Sequence, residues 1–110
     1  MSRLKALLLG AMLGGVPALA IPVALHAAAD QQVTIDNFAF APQNLSVSAG
    51  TAVTWKNRDD IPHNVVSPEQ KFKSPVLDTN EKFSHTFDVA GTYQYYCSIH
   101  PRMTGQVVVR

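Results

Sequence analysis

The chain has 110 residues, with nine Lys/Arg against eight Asp/Glu and a net charge of +1. That balance gives no reason to expect nucleic acid or an anionic membrane as a partner. A single cysteine rules out an internal disulfide framework, and the length allows one small domain with a modest core.

Residues 1–29 read as a secretory signal. Arg3 and Lys5 form a basic start, Ala6 to Leu13 is apolar, and Ala27-Ala28-Ala29 offers a small-residue cleavage site before Asp30. Pro17 and Pro22 interrupt the apolar run, so no unbroken stretch of ~20 residues could span a bilayer. The expectation is export to the periplasm and no membrane attachment after cleavage. The mature domain is then residues 30–110, a monomer of 81 residues with seven basic and eight acidic side chains, a net of −1. Met1 and Met12 leave with the signal, so Met103 becomes the only methionine to account for.

The mature region alternates with period 2. Val33 and Ile35 share a face, as do Leu45 and Val47, and then Val53 and Trp55 after the Ala49-Gly50 turn. Val65 and Val66 follow Pro62-His63. Residues 68–80 are irregular and read as a loop. Phe83, His85 and Phe87 line one face of the next strand, and Tyr93, Tyr95 and Cys97 one face of the strand after Ala90-Gly91. Gln106 to Val109 forms the last. No segment supports a long helix. Repeated short strands at this size predict an all-β, Greek-key antiparallel β-sandwich.

Parity turns Cys97 inward at a strand end, where a loop begins. Cys97-Ser98-Ile99-His100-Pro101-Arg102-Met103 reads C-x2-H-x2-M. A thiolate, an imidazole and a thioether so close can converge on one point, and soft sulfur ligands beside imidazole suit copper. Two His, one Cys and a weak axial Met make up a blue-copper electron-transfer set. The second imidazole must come from His63 or His85. His63 stands at the junction of a polar turn and a strand, whereas His85 lies mid-strand between Phe83 and Phe87 and reads as a packed strand residue. The expected metal ligands are therefore His63, Cys97, His100 and Met103. A structural zinc site would call for a harder fourth ligand than a thioether.

The chain resembles the cupredoxins, and within them the amicyanin-type group of small bacterial blue-copper proteins. Thr54-Trp55-Lys56-Asn57 leading to Pro62-His63-Asn64-Val65, Ala90-Gly91-Thr92-Tyr93-Gln94-Tyr95-Tyr96-Cys97, and the loop to Met103 carry the resemblance. Asn37-Phe38-Ala39-Phe40-Ala41-Pro42 adds to it. The resemblance implies one type 1 copper ion, with His63, Cys97 and His100 equatorial and Met103 axial. It also implies that Asn64 braces the loop through Ser98 and gives its backbone N–H to the Cys97 sulfur. Tyr93 is a candidate tyrosine corner. Two positions depart from the group: Ile99 replaces a common proline, and Arg102 replaces a common apolar residue.

These readings predict an electron carrier rather than an enzyme, since four protein ligands leave no open coordination position. A redox donor and acceptor would dock near His100, with Arg102 favouring a negatively charged partner surface. The alternative is a copper-handling protein that sequesters or delivers the ion without carrying electrons.

Overall fold

The computed structural model describes residues 29–110; the expected signal segment lies outside the described residues, apart from Ala29. Seven strands follow in order: β1 (Gln31–Asp36), β2 (Ala39–Ala41), β3 (Asn44–Val47), β4 (Thr51–Asn57), β5 (Lys82–Phe87), β6 (Gly91–Tyr96) and β7 (Thr104–Val109). They form two sheets, ordered β2-β1-β4-β5 and β3-β7-β6. No helix interrupts them among the described residues.

The all-β sandwich is as the alternation predicts, but the sheets are mixed. The β1–β4 and β3–β7 pairs run parallel, while β1–β2, β4–β5 and β6–β7 are antiparallel. Between β1 and β4 the chain crosses to the other sheet and returns, and only such a crossover can bring two strands side by side in parallel. Side-chain parity is blind to strand direction, so this part of the topology is not encoded in the alternation.

Period 2 sends Val33, Ile35, Val53 and Trp55 into the core from one sheet and Tyr95, Val107 and Val109 from the other. Trp55 is the hub: its ring meets Phe72, Phe83, Phe87 and Tyr95 at centroid separations of 5.2–6.3 Å. The Tyr95 ring lies where a Cβ on Gly105 would have to sit, so glycine is required opposite it on β7. Burial pushes the Tyr95 hydroxyl up to about 12 against an opposing interaction with the Trp55 side chain, although the Tyr95 oxygen and Trp55 Nε1 are both buried without a well-formed hydrogen bond. The Tyr93 hydroxyl donates to the Val89 carbonyl at 2.6 Å, which is the tyrosine corner expected there.

Two local expectations change. Val65 and Val66 do not start a strand; Val66 makes isolated bridges to Lys73 and Tyr96. A short strand, β2, appears where none was anticipated. Asp36 pairs with Ala39, so Asn37 and Phe38 form a two-residue hairpin turn, with φ of 52° and 57°. Positive φ at both central positions is what such a turn requires. Asn tolerates it, whereas a bulky aromatic rarely does.

Candidate metal centre

Three segments converge at one end of the sandwich: the stretch leaving β4, the loop from β6 to β7, and the β1–β2 turn. Each is fixed by its own hydrogen bonds. Asn57, fully buried at the end of β4, donates through Nδ2 to the carbonyls of Ile61 and Leu77, both at 2.9 Å, and accepts from the Asp59 N–H. Its side chain thus shapes the turn ahead of His63. The His63 backbone then exchanges hydrogen bonds with Leu77 at 3.1 and 2.7 Å, and Val66 does so with Tyr96 at 2.9 and 3.0 Å. That second exchange ties the His63 segment to β6 and closes the gap between the sheets.

Cys97 follows β6 directly and is fully buried, as parity predicts. Its N–H donates to the Met103 carbonyl, and the Met103 N–H donates to the His100 carbonyl, at 3.1 and 2.9 Å. The loop therefore curls into a closed turn that returns Met103, 5% exposed, to the neighbourhood of Cys97. Asn64 clamps the loop from the segment that follows β4. Its Nδ2 donates to Ser98 Oγ at 2.7 Å, its Oδ1 accepts from the Ser98 N–H at 2.8 Å, and its own N–H points at Cys97 Sγ at 3.5 Å.

The structure gathers His63, Cys97 and His100, with their donor atoms all within 4.8 Å of one another. Cys97 Sγ is 3.7 Å from His63 Nδ1 and 3.9 Å from His100 Nδ1. Sulfur at about 2.3 Å and nitrogen at about 2.0–2.1 Å from a shared ion, 120° apart, would stand about 3.8 Å from each other. The donor set therefore fits one trigonally held ion, and a thiolate with two imidazoles suits copper. His85 is not part of the group. It packs on β5 against Phe72 and Phe87 at 4.9 and 4.7 Å, where burial holds its pKa below the usual value although Asp88 opposes the shift.

Exposure divides the ligand candidates. His63 and Cys97 are fully buried, whereas His100 is half-buried and borders a shallow depression of about 450 Å³. Phe38, Ile99, Pro101, Arg102 and Met103 complete its lining. Phe38 and Ile99 are 46% and 44% exposed, making this an apolar rim around the only one of the two grouped histidines that reaches the surface.

Two residues here escaped the sequence reading. Asp59 Oδ2 lies 2.7 Å from His63 Nε2, the nitrogen facing away from the sulfur. Burial alone would push the Asp59 carboxyl up, but the N–H groups of Phe38 and Asn37 and the His63 ring outweigh it and hold it below its usual value. Phe38 meets His63 and His100 edge-on, with centroids 5.5 and 5.1 Å away. The only sequence signal for Asp59 was its place in a polar turn four residues before His63.

The family model for copper-binding proteins of the plastocyanin/azurin family matches residues 27–110. Amicyanin of Paracoccus denitrificans is 39% identical over 95 residues, covering 80% of this chain and 72% of that protein. Amicyanin-alpha of Methylorubrum extorquens is 38% identical over 87 residues, covering 74% and 73% respectively. Among solved structures, a purple cupredoxin from Nitrosopumilus maritimus is similar with a TM-score of 0.68 and 39% identity, over 74% of this chain and 100% of that one. A reduced-state amicyanin mutant is similar with a TM-score of 0.69 and 38% identity, over 74% and 82%.

Proposed function

The chain belongs to the plastocyanin/azurin family of copper-binding proteins, and from that premise we propose that it is an exported carrier of single electrons between redox proteins. The observation that carries this reading is the trio of His63, Cys97 and His100, gathered within 4.8 Å with both sulfur-to-nitrogen distances close to what one trigonally held ion requires. His63, Cys97 and His100 would be the equatorial ligands and Met103 the axial one. Copper held there supplies a reversible one-electron couple tuned by its ligands and their hydrogen bonds.

The chain's own residues favour carriage over catalysis. Four protein ligands leave no position for a substrate. Asn64 braces the Cys97–Met103 loop from the segment after β4 and aims its N–H at the sulfur, which limits rearrangement between oxidation states. His100 is the ligand nearest the surface and serves as the electron port. Its apolar rim gives partners a face that is easily desolvated, and Arg102 favours a negatively charged surface on them. Docking of this kind needs a small and transient contact. Residues 1–29 would direct export to the periplasm and be removed.

The test is the optical spectrum of the purified, copper-loaded, oxidised protein, beside that of Cys97→Ser. An intense visible charge-transfer band that vanishes in the variant is the expected result. An identical spectrum from a folded C97S protein sinks the assignment. Fast, reversible redox cycling with slow copper exchange would support carriage, and rapid transfer of copper to an acceptor would favour handling instead. The mass of the exported protein locates the cleavage site.

A further inference from the structure

A single carboxylate joins the buried side of the metal centre to the exposed turn that covers it. Asp59 Oδ1 accepts from the Asn37 N–H at 2.6 Å, and Oδ2 accepts from the Phe38 N–H at 3.0 Å. Oδ2 also lies 2.7 Å from His63 Nε2. Two successive amides pointing into one concavity form a nest for an anion, and here the anion is a side chain of the same molecule. The nest exists because Asn37 and Phe38 both take positive φ, a strained choice for Phe38 that needs outside support to persist. Asp59 is itself held, its N–H on Asn57 Oδ1 at 2.9 Å and its carbonyl accepting from Thr79 Oγ1 at 2.7 Å. Its side chain is 11% exposed.

We propose that Asp59 is a positioning residue of the copper centre, fixing His63 with its proton on Nε2 and seating the Phe38 ring against both histidines. The inference rests on the copper reading above and concerns how the ligands are held. Nδ1 of His63 faces the sulfur, so it must be the unprotonated nitrogen if it is to bind metal, and a carboxylate at Nε2 enforces that tautomer. A carboxylate hydrogen-bonded to a ligand imidazole makes that ring a stronger donor to a metal, which favours Cu(II) over Cu(I). Phe38 follows from the same anchor. Its ring stands edge-on to both imidazoles while remaining 46% exposed, so the turn forms part of the face that a partner meets at His100. One side chain therefore sets the electronic character of the buried ligand and the shape of the exposed rim.

The experiment compares wild type with Asp59→Ala, Asp59→Asn and Asp59→Glu by two readouts. In the copper-loaded proteins, the midpoint potential should rise for D59A and D59N. The expected loss of preference for Cu(II) over Cu(I) is about tenfold, or ~59 mV for a one-electron couple. D59E restores the carboxylate and should return most of the shift. In the metal-free proteins, ¹⁵N NMR of His63 should report a protonated Nε2 in wild type and a mixture of tautomers in D59A, together with a moved Phe38 ring resonance. D59N covers the case in which D59A fails to fold. A potential within twofold of wild type in the Cu(II)/Cu(I) ratio, or a D59E protein as displaced as D59A, overturns the proposal; so does an unaltered His63 tautomer. Wild-type protein that takes up no copper would instead overturn the underlying metal reading, and the metal-free tautomer still judges the Asp59 contact.

Discussion

Replacing Asn64 with Ala tests whether the metal loop is held by the segment that follows β4. The side chain is 5% exposed and makes two hydrogen bonds to Ser98, at 2.7 and 2.8 Å. Alanine deletes both but keeps the backbone N–H directed at Cys97 Sγ. Ser98 is exposed, so water can reach its hydroxyl and amide after truncation, and no large penalty for an orphaned group adds to the loss. Two bonds at about 0.5–1.5 kcal/mol each give a cost of about 1–3 kcal/mol. In a domain this small a loss of about 2 kcal/mol lowers Tm by roughly 8–16 °C. The assay is denaturant and thermal unfolding of the metal-free protein, so that linkage to bound metal does not mask the change. Ser98→Ala removes only the hydroxyl bond, so the cycle of both single variants and the double variant should show a coupling of about 1 kcal/mol. An Asn64→Ala cost below about 0.5 kcal/mol, or additivity within about 0.3 kcal/mol, would refute the clamp.

Two core substitutions probe the packing beneath the site. Gly105→Ala places a methyl group in the space of the Tyr95 ring, which is 1% exposed and hemmed in by Phe40 and Trp55; urea unfolding should register a loss of about 1–3 kcal/mol. Tyr95→Phe removes a buried hydroxyl with no well-formed hydrogen bond and only the Trp55 side chain as a near polar neighbour, so the variant should stay within about 1 kcal/mol of wild type. It should also lack the tyrosine that titrates near 12 in ultraviolet absorbance. Destabilisation of Tyr95→Phe by more than about 1 kcal/mol would mean that the hydroxyl is satisfied in solution.

The sandwich was legible because burial follows parity so closely. β4 alternates strictly between buried and half-buried side chains, and Cys97 continues the inward face of β6. His63 could be separated from His85 by position alone, at a strand-to-turn junction rather than mid-strand; His63 lies beside Cys97 and His100, and His85 packs against Phe72. Strand direction left no trace, since a parallel and an antiparallel partner impose the same alternation. β2 was hidden by its three residues and by a turn in which an aromatic takes a conformation its type disfavours. Asp59 escaped for a related reason. Its partners Asn37 and Phe38 lie more than twenty residues away, and a charged residue in the polar run Arg58-Asp59-Asp60 reads as solvated until the turn opposite it is known.

The parallel pairings also bear on when the site comes into being. Asn44 on β3 lies beside Gln106 on β7, and His63 reaches Cys97 across 34 positions of chain. Contacts this distant in sequence form slowly, because loop-closure entropy is spent before they return any stabilisation. The ligand trio is assembled only once the segment after β4 is tied to β6. Metal uptake is then expected to follow folding rather than to nucleate it, so the metal-free protein should refold at a rate that copper does not change.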